Sequence, residues 1–551
     1  MRIRRKQSGL TVNAIAGTNV VHMGMDLDEA KRKGCLGFAV QREDHTEDEK
    51  YWMEGMKTFE ATVPNPAPGG KVSSRSHPLQ TFQWADYSAK PDHDYTYTTI
   101  PLYGTPKKLV TGDGLTLRVQ TEHERSGRHS VFFNRGAISS QEYVRRFGDK
   151  APNKIGPAAY EWLSRGLIEA LIAFIERARD DSYEIYGAVY EFQWPDVLQA
   201  LGAAKKRGVK VHIIYDAIVG DNNPREKNIA AIALAKIKSF CSPRTRGKIM
   251  HNKFFVLRRN EKPVAVWTGS TNLTENGIFG HSNCGHIVDD ERIAGVYLKY
   301  WHFLHGDPER DACLTWMAAD NMAPPDPWKY DTTAVFSPRK GIEVLNWYGR
   351  IAGAANEALF MTFAFGMHDI FKKVYEQNDG VLRFALMEKE GNGAGLAKGR
   401  EDIRRIRKLP NVIVAVGNNA SFNALDQWVK TRAQLGPRLN VKWIHTKYML
   451  VDPLGDEPIV LSGSANFSKA STDTNDENMV VIRNDQRIAD IYFGEFMRLH
   501  AHYAFREAVA IAKANGEEWS PKYLIPNDTW QRDHFSPGNP RFLKRKYFAR
   551  V

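Results

Sequence analysis

One stretch of this chain occurs twice, and the spacing between its copies is constant. The first copy is His251-Asn252-Lys253-Phe254-Phe255-Val256-Leu257, followed by Gly269-Ser270-Thr271-Asn272. The second is His445-Thr446-Lys447-Tyr448-Met449-Leu450-Val451-Asp452, followed by Gly463-Ser464-Ala465-Asn466. The two His lie 194 residues apart (445 − 251), and so do the two Gly (463 − 269). A fixed offset across two separate motifs implies an internal duplication, so the chain must fold as two copies of one unit. Downstream, Asn283 and Asn478 each precede a strand-like run that ends in Asp.

Residue types in one copy already suggest chemistry. A His and a Lys two apart on a strand project from the same face. A Gly-Ser-x-Asn turn adds a hydroxyl, an amide and a close backbone approach. Lys, Ser and Asn together can hold an anionic tetrahedral group such as phosphate. Two sets face to face would put two His, two Lys and two Asn around one phosphate. One His could attack phosphorus while the other protonates the leaving oxygen. The lysines supply the positive charge, so this reading needs neither metal nor other cofactor.

The same residues resemble the signature of the phospholipase D superfamily, HxKxxxxD followed by GSxN. The second copy matches in full; in the first, Arg258 stands at the Asp position. The resemblance covers residues 155–505. It implies two pseudo-symmetric αβα sandwich halves sharing one cleft, with a covalent phosphohistidine in the reaction. Glu477 precedes Asn478, and matching the two Asn sets it against Ser282, which precedes Asn283. In that family an acid at this place orients the nucleophilic His of the opposite half. The resemblance therefore implies His251 as nucleophile, Glu477 as its orienting partner and His445 as general acid, then base. Lys253 and Lys447 complete the catalytic set; Ser270, Asn272, Ser464 and Asn466 are expected to bind the substrate phosphate.

The chain has 551 residues, too many for one core, and its 42% hydrophobic and 25% charged composition is ordinary for globular proteins. A net charge of +12 favours polyanionic partners, either nucleic acid or an anionic membrane surface. Cys35, Cys241, Cys284 and Cys313 are too scattered for a disulfide framework or a zinc site. Residues 9–25 are interrupted by Asn, Gly and Thr, so no signal peptide is expected, and the most apolar run, 358–367, is far short of a membrane span. A cytoplasmic protein is the resulting expectation, with peripheral membrane contact left open.

Residues 1–150 read as a separate β-rich domain. Turn residues cluster at 64–70, and strand-like alternation occurs at 35–40, 81–84, 95–103, 115–121 and 130–134, with one helix at 26–33. The stretch Trp84 to Tyr97, with Pro91-Asp92-His93-Asp94-Tyr95, resembles the E–F corner of fibronectin type III domains, which implies a β-sandwich. This domain is a candidate for buttressing the catalytic part or for binding a protein partner.

Beyond it, strand and helix alternate as in a sheet covered on both faces. A helix is expected at 155–180, then strands at 183–192, 209–215, 253–258, 264–269 and 285–288, with helices at 195–206, 228–236 and 291–303. The order repeats at 358–365, 370–376, 382–387, 401–408 and 412–416, followed by the motif strands, a strand at 479–483 and a helix from 486 to about 506. Residues 323–327 read as a linker and 391–395 as a loop bordering the cleft. A short helix and an irregular tail with Trp519, Trp530 and Phe535 are expected to pack on the body. The expected domains are 1–150, 151–330 for the first half, 331–510 for the second, and the tail 511–551.

The reaction is thus better defined than the substrate. Phospholipid headgroup release is the first expectation. A metal-independent nuclease and a degenerate phosphate- or nucleic-acid-binding site are the alternatives.

Overall fold

The computed structural model describes residues 1–67, 70–220, 223–321, 328–391, 395–417, 424, 426–427, 429, 443–516 and 523–551. The expected linker at 323–327, most of the glycine loop at 391–395, and Trp519 lie outside them.

The duplication is visible in two mixed sheets. One runs in the order Arg125–Ser126, His129–Phe133, Cys284–Val288, Lys262–Gly269, Lys253–Arg259, Tyr183–Val189, Lys210–Asp216, Cys241–Arg244. The other runs Thr332–Ser337, Glu477–Arg483, Ile459–Gly463, Tyr448–Val451, Ala358–Phe363, Leu382–Met387, Val412–Val416. Apart from the short first strand of the larger sheet, the strands correspond one to one, with matching senses: the outer three of each are parallel and the rest antiparallel. The central strands are buried along their length, for example Ala358–Phe363 and Leu382–Met387, as expected of a sheet covered on both sides.

Each half closes with a helix that reaches both sheets. In the first half it is Glu291–His305, whose Tyr297 meets Phe254 of its own sheet and Phe336 of the other. In the second it is Gln486–Ala514, whose Tyr492 meets Phe133 and Tyr448. One continuous apolar core therefore runs through both halves. At about 25 cal/mol per Å² of buried apolar area, such a shared core holds the halves in fixed relation.

Residues 1–120 form two larger antiparallel sheets and a two-stranded one, Glu54–Gly55 with Val72–Ser73. The first is Arg2–Gln7, Leu10–Ala16, Val21–Leu27, Gln83–Asp86; the second is Lys108–Thr111, Asp94–Thr105, Gly37–Asp44, Glu49–Trp52, with Leu115–Gln120 also paired to Asp94–Thr105. Val12, Met23, Phe38, Tyr95 and Leu117 share one core between them. The Tyr95 hydroxyl accepts from the Lys90 amide at 2.9 Å, the contact that closes a tyrosine corner.

Several expectations are corrected. The strand at 130–134, assigned to the N-terminal domain, is His129–Phe133 and pairs with Cys284–Val288 in the first catalytic sheet. It is the counterpart of Thr332–Ser337, which the sequence reading passed over. The helix at 155–180 is three pieces, Pro152–Ile155, Pro157–Ser164 and Leu167–Glu176, broken where Arg165 and Gly166 take left-handed backbone (φ 49° and 86°). The helix at 26–33 shrinks to Glu29–Arg32, because Asp26 and Leu27 end a strand. The expected helix end near 506 and the short helix after it are one helix to Ala514.

At the C-terminus the helix Pro540–Ala549 lies on the first N-terminal sheet. Asn13 Nδ2 donates to the Phe548 carbonyl at 2.8 Å, and a Cβ on Gly24 would come within 2.1 Å of that carbonyl, so only glycine fits. Trp530 stacks on Phe82 at 5.2 Å, and Phe535 meets the same ring edge-on.

Candidate active site

Both His-x-Lys segments leave the ends of their strands at the seam between the halves. Two isolated parallel bridges stitch that seam, Met250 to Asp476 and Ile444 to Ser282. They are equivalent under the 194-residue offset. His251 N donates to Asp476 O at 2.9 Å and His445 N to Ser282 O at 3.2 Å; in return Asp476 N donates to Ile249 O and Ser282 N to Trp443 O. The backbone thus presents the two imidazoles to one another, with ring centroids 6.5 Å apart and planes at 71°.

Each imidazole is held from the opposite half. His251 Nδ1 lies 2.8 Å from Glu477 Oε2, and His445 Nδ1 lies 2.8 Å from Asn283 Oδ1. This corrects the match of Glu477 to Ser282. Gly285 faces Gly269 across its ladder, and Met479 faces Gly463, so the true counterpart of Glu477 is Asn283, again 194 residues away (477 − 283). The signal was in the sequence: the same offset that relates the motifs relates these two residues.

The serines have a different place from the one expected. Ser270 Oγ donates to Asn283 Oδ1 at 2.8 Å and Ser464 Oγ to Glu477 Oε2 at 2.7 Å. Each also accepts a backbone amide, from Cys284 and Asn478 respectively. Both are fully buried, so their hydroxyls brace the orienting groups instead of facing a phosphate. The preceding glycines are required by contact: a Cβ at Gly269 or Gly463 would sit 2.3 or 2.2 Å from the carbonyl of Cys284 or Asn478.

The remaining expected residues converge on the cleft. Lys253 Nζ donates to the His251 carbonyl at 2.6 Å and stands 5.1 Å above the Tyr190 ring. Lys447 Nζ donates to the His445 carbonyl. Asn272 is buried, and the side-chain oxygens of Asn272 and Asn466 both lack a hydrogen-bond partner among the described residues.

Electrostatics follow from enclosure. His251 is 12% exposed and Glu477 fully buried. Burial pushes the His251 imidazole down to about 4, against the pull of Glu477, and pushes His445, which has an amide in place of a carboxylate, well below its usual range. Burial also lowers Lys253 to about 8, opposed by Glu477, Glu191 and Asp216, and lowers Lys447 further. Asp216 accepts the Met250 amide at 2.7 Å and is pushed up to about 7 by burial; Asp476, paired with Arg244, is pushed up to about 6 for the same reason.

With Glu477 as acceptor, His251 carries its proton on Nδ1, and Nε2 keeps a lone pair. The same holds for His445. Asn283 Nδ2 donates to Gly277 O, which fixes its Oδ1 toward the imidazole and Ser270. The site is therefore two imidazoles flanked by two lysines and two amides, an arrangement suited to an anionic tetrahedral centre.

Arg258 does not open a gap. In the second half Asp452 accepts the backbone amides of Asn356, Glu357 and Ala358 at 2.8–2.9 Å, tying two strands together away from the cleft. In the first half the charges are exchanged: Arg258 donates to Glu184 at 2.9 Å on the neighbouring strand. Sequence reasoning missed Asn283, His281, Tyr190, Glu191 and Asp216. For a cation, the one suitable group among the described residues is Asp44, Glu47 and His93, far along the chain in the N-terminal sheets, where Lys90 already pairs with Glu47.

Comparison with known proteins gives one family match and several partial structural likenesses. The family model described as cardiolipin synthase, phospholipase D-like domain, matches residues 171–303 and 406–500. No curated protein matches the chain by sequence. Among solved structures, phosphatidylserine synthase of Haemophilus influenzae is similar at 11% identity, over 63% of this chain and 92% of its own, with TM-score 0.43. Nuc of Salmonella typhimurium, a phospholipase D family member, is 29% identical over 24% of this chain and 84% of its own, TM-score 0.20. Polyphosphate kinase of Porphyromonas gingivalis is 12% identical over 57% of this chain, which spans 42% of that protein, TM-score 0.37. With two motif copies meeting in one cleft and a family model that matches segments of both halves, the chain is similar to the phospholipase D-like domain in both of its halves.

Proposed function

We propose that the chain cleaves or transfers a phosphodiester through a covalent phosphohistidine on His251. The single observation that carries this is the His251–Glu477 contact at 2.8 Å, opposed across the cleft by His445 on an uncharged amide. His251 Nε2 forms a bond to phosphorus as the P–O bond to the leaving alcohol breaks, and His445 supplies the proton to that oxygen. In the second step water or another alcohol attacks phosphorus, the N–P bond breaks, and His445 takes back the proton. Lys253, Lys447, Asn272 and Asn466 hold the non-bridging oxygens. An arriving phosphodiester anion raises the proton affinity of every cation around it, which is how His445, neutral in the empty site, acquires the proton it must give.

The substrate class we favour is a phospholipid, with release or exchange of its headgroup. The name of the matching family, cardiolipin synthase, supports this. The second reading is a nuclease, favoured by the net charge of +12. Of the basic cluster at the start of the chain, Arg2 binds Asp490 and Lys6 binds Asp28. No helix among the described residues is long and apolar enough to cross a membrane, and the four cysteines are free. Both suit the proposed setting: a reducing compartment, with peripheral contact to an anionic surface. In the same reading the sheets of residues 1–120 and the C-terminal helix buttress the two halves.

Parallel incubation with phosphatidylcholine and phosphatidylglycerol vesicles, single- and double-stranded DNA, and bis(p-nitrophenyl) phosphate tests the proposal. Turnover of the lipid and the small diester, with DNA intact, is expected. Turnover of DNA alone would establish the second reading.

A further inference from the structure

A third imidazole stands in the cleft. His281 lies 5.3 Å from His445, ring centroid to centroid, with the planes 32° apart. His445 in turn lies 6.5 Å from His251, so three imidazoles form a row across the seam. His281 is 8% exposed and firmly held. Its amide donates to Asn276 O at 2.9 Å, its carbonyl accepts from Asn134 Nδ2 at 2.6 Å, and its Nε2 is 2.6 Å from Asn276 Nδ2.

The duplication gives this position a meaning. Its equivalent in the second half is Asn475 (475 − 281 = 194). Asn475 Nδ2 donates to Glu477 Oε1 at 3.3 Å and so supports the group that holds His251. In each half, then, the residue two places before the orienting side chain attends the imidazole of the other half. Asn475 does so through a hydrogen bond to the carboxylate, His281 by lying against the imidazole itself.

We propose that His281 is a positioning residue for the acid–base step, fixing the plane of His445 and, as a second titratable ring in contact with it, making its proton easier to release to the leaving oxygen. This rests on the reading of His445 as general acid. Other groups act on His445 in the same sense, namely burial, Lys447, Lys253 and His251, while Asn283 fixes its Nδ1. What distinguishes His281 is ring contact. Two imidazoles in tilted contact are harder to protonate together than either is alone, so His281 eases the release of the proton carried by His445.

The test uses the full chain with aryl methyl phosphodiesters whose leaving groups run from p-nitrophenol to phenol. His281→Phe keeps a ring and removes the titrating nitrogens; His281→Asn copies the second half. Both are expected to lose turnover in proportion to leaving-group basicity, from within about 3-fold for p-nitrophenol to about 10- to 100-fold for phenol, within the range of general acid catalysis. The acidic limb of kcat for the phenyl ester is expected to shift in both variants. An equal loss across the series, or none, overturns the proposal. Should both variants fail to fold, ring-labelled wild-type protein titrated with inorganic phosphate decides: His281 and His445 resonances must shift together, and a silent His281 refutes the coupling. If His445→Asn itself shows no leaving-group dependence, His445 is not the general acid and the proposal falls with that assignment; a dependence in His445→Asn with none in His281→Phe and His281→Asn overturns the role of His281 alone.

Discussion

The two halves keep one scaffold and differ in the side chains that choose a protonation state. The seam bridges, the lysine-to-carbonyl contacts and the serine braces are equivalent in both. Yet His251 is oriented by a carboxylate and His445 by an amide. Beneath them Asn478 receives bonds from Thr268 and Tyr297 and donates to Asn252, while the equivalent Cys284 makes long thiol contacts, 3.6 Å to Ser462 and 3.7 Å to Ser270. Backbone geometry that presents the imidazoles tolerates little change, because it joins two sheets. The groups behind the imidazoles differ, a carboxylate for His251 and an amide for His445, and in the proposed mechanism that difference separates a nucleophile from an acid.

The largest expected effect breaks this asymmetry at its centre. His251→Ala should lose turnover on the order of 10⁵-fold or more whatever the leaving group, the scale of deleting a nucleophile. His445→Asn should lose as much with a poor leaving group and far less with p-nitrophenol. Steady-state rates on the aryl series separate the two; a His251→Ala loss that depends on the leaving group would reverse the roles.

Next, Glu477→Gln should cost about 10²- to 10⁴-fold in kcat, since the amide orients but no longer stabilises the developing imidazolium. Asn283→Ala should cost less, about 10-fold, and mainly on substrates that need protonation. If the two substitutions are equally damaging, the halves are not functionally distinct.

Away from the cleft the comparison concerns stability. Asp452→Ala removes the acceptor of three backbone amides and should destabilise by about 2–3 kcal/mol. Arg258→Ala breaks a partly exposed ion pair, with Lys210 still 3.5 Å from Glu184, and should cost under about 1 kcal/mol. Thermal or urea unfolding of both variants checks the order.

The smallest signals are titrations. In the empty protein His251 should take up its proton at a higher pH than His445, because Glu477 opposes the effect of burial; ring NMR reads this directly. Across the molecule, buried neutral imidazoles at His22, His129, His251, His286, His445, His500, His502 and His534 have lowered proton affinity in the folded chain. The unfolded chain therefore binds more protons as pH falls below 6.5, and stability is lost in that direction. Asp216, Asp476 and Asp490, raised to about 7, 6 and 6, act oppositely, losing stability as pH rises from 3.8 through those values. Glu124 and Glu191, also raised by burial, act with these three, but the lowered imidazoles outnumber them, so Tm should be lower at pH 5 than at pH 7.

How much was legible in the sequence follows from what each element buries. The motifs were readable because chemistry repeats at a fixed offset, and the apolar central strands because they are covered on both faces. Asn283 was missed by matching like residues, Asn to Asn, where the offset itself pointed to Glu477. The strands Leu10–Ala16 and Val21–Leu27 lack alternation because the long helix and the C-terminal helix cover the face that would otherwise be wet. The break at Arg165–Gly166 interrupts a helical pattern that continues across it, since αL geometry changes direction without changing periodicity. Arg258 departs from the motif in the sequence, and its partner Glu184 is far upstream and adjacent only through the sheet.

One measurement bears most directly on the central claim. His445→Asn is mixed with bis(p-nitrophenyl) phosphate, quenched, and mapped by intact mass and alkaline-stable phosphopeptide analysis. The account predicts a phosphoryl adduct on His251, absent from His251→Ala. An adduct on His445 in the wild-type chain that survives in His251→Ala would contradict it.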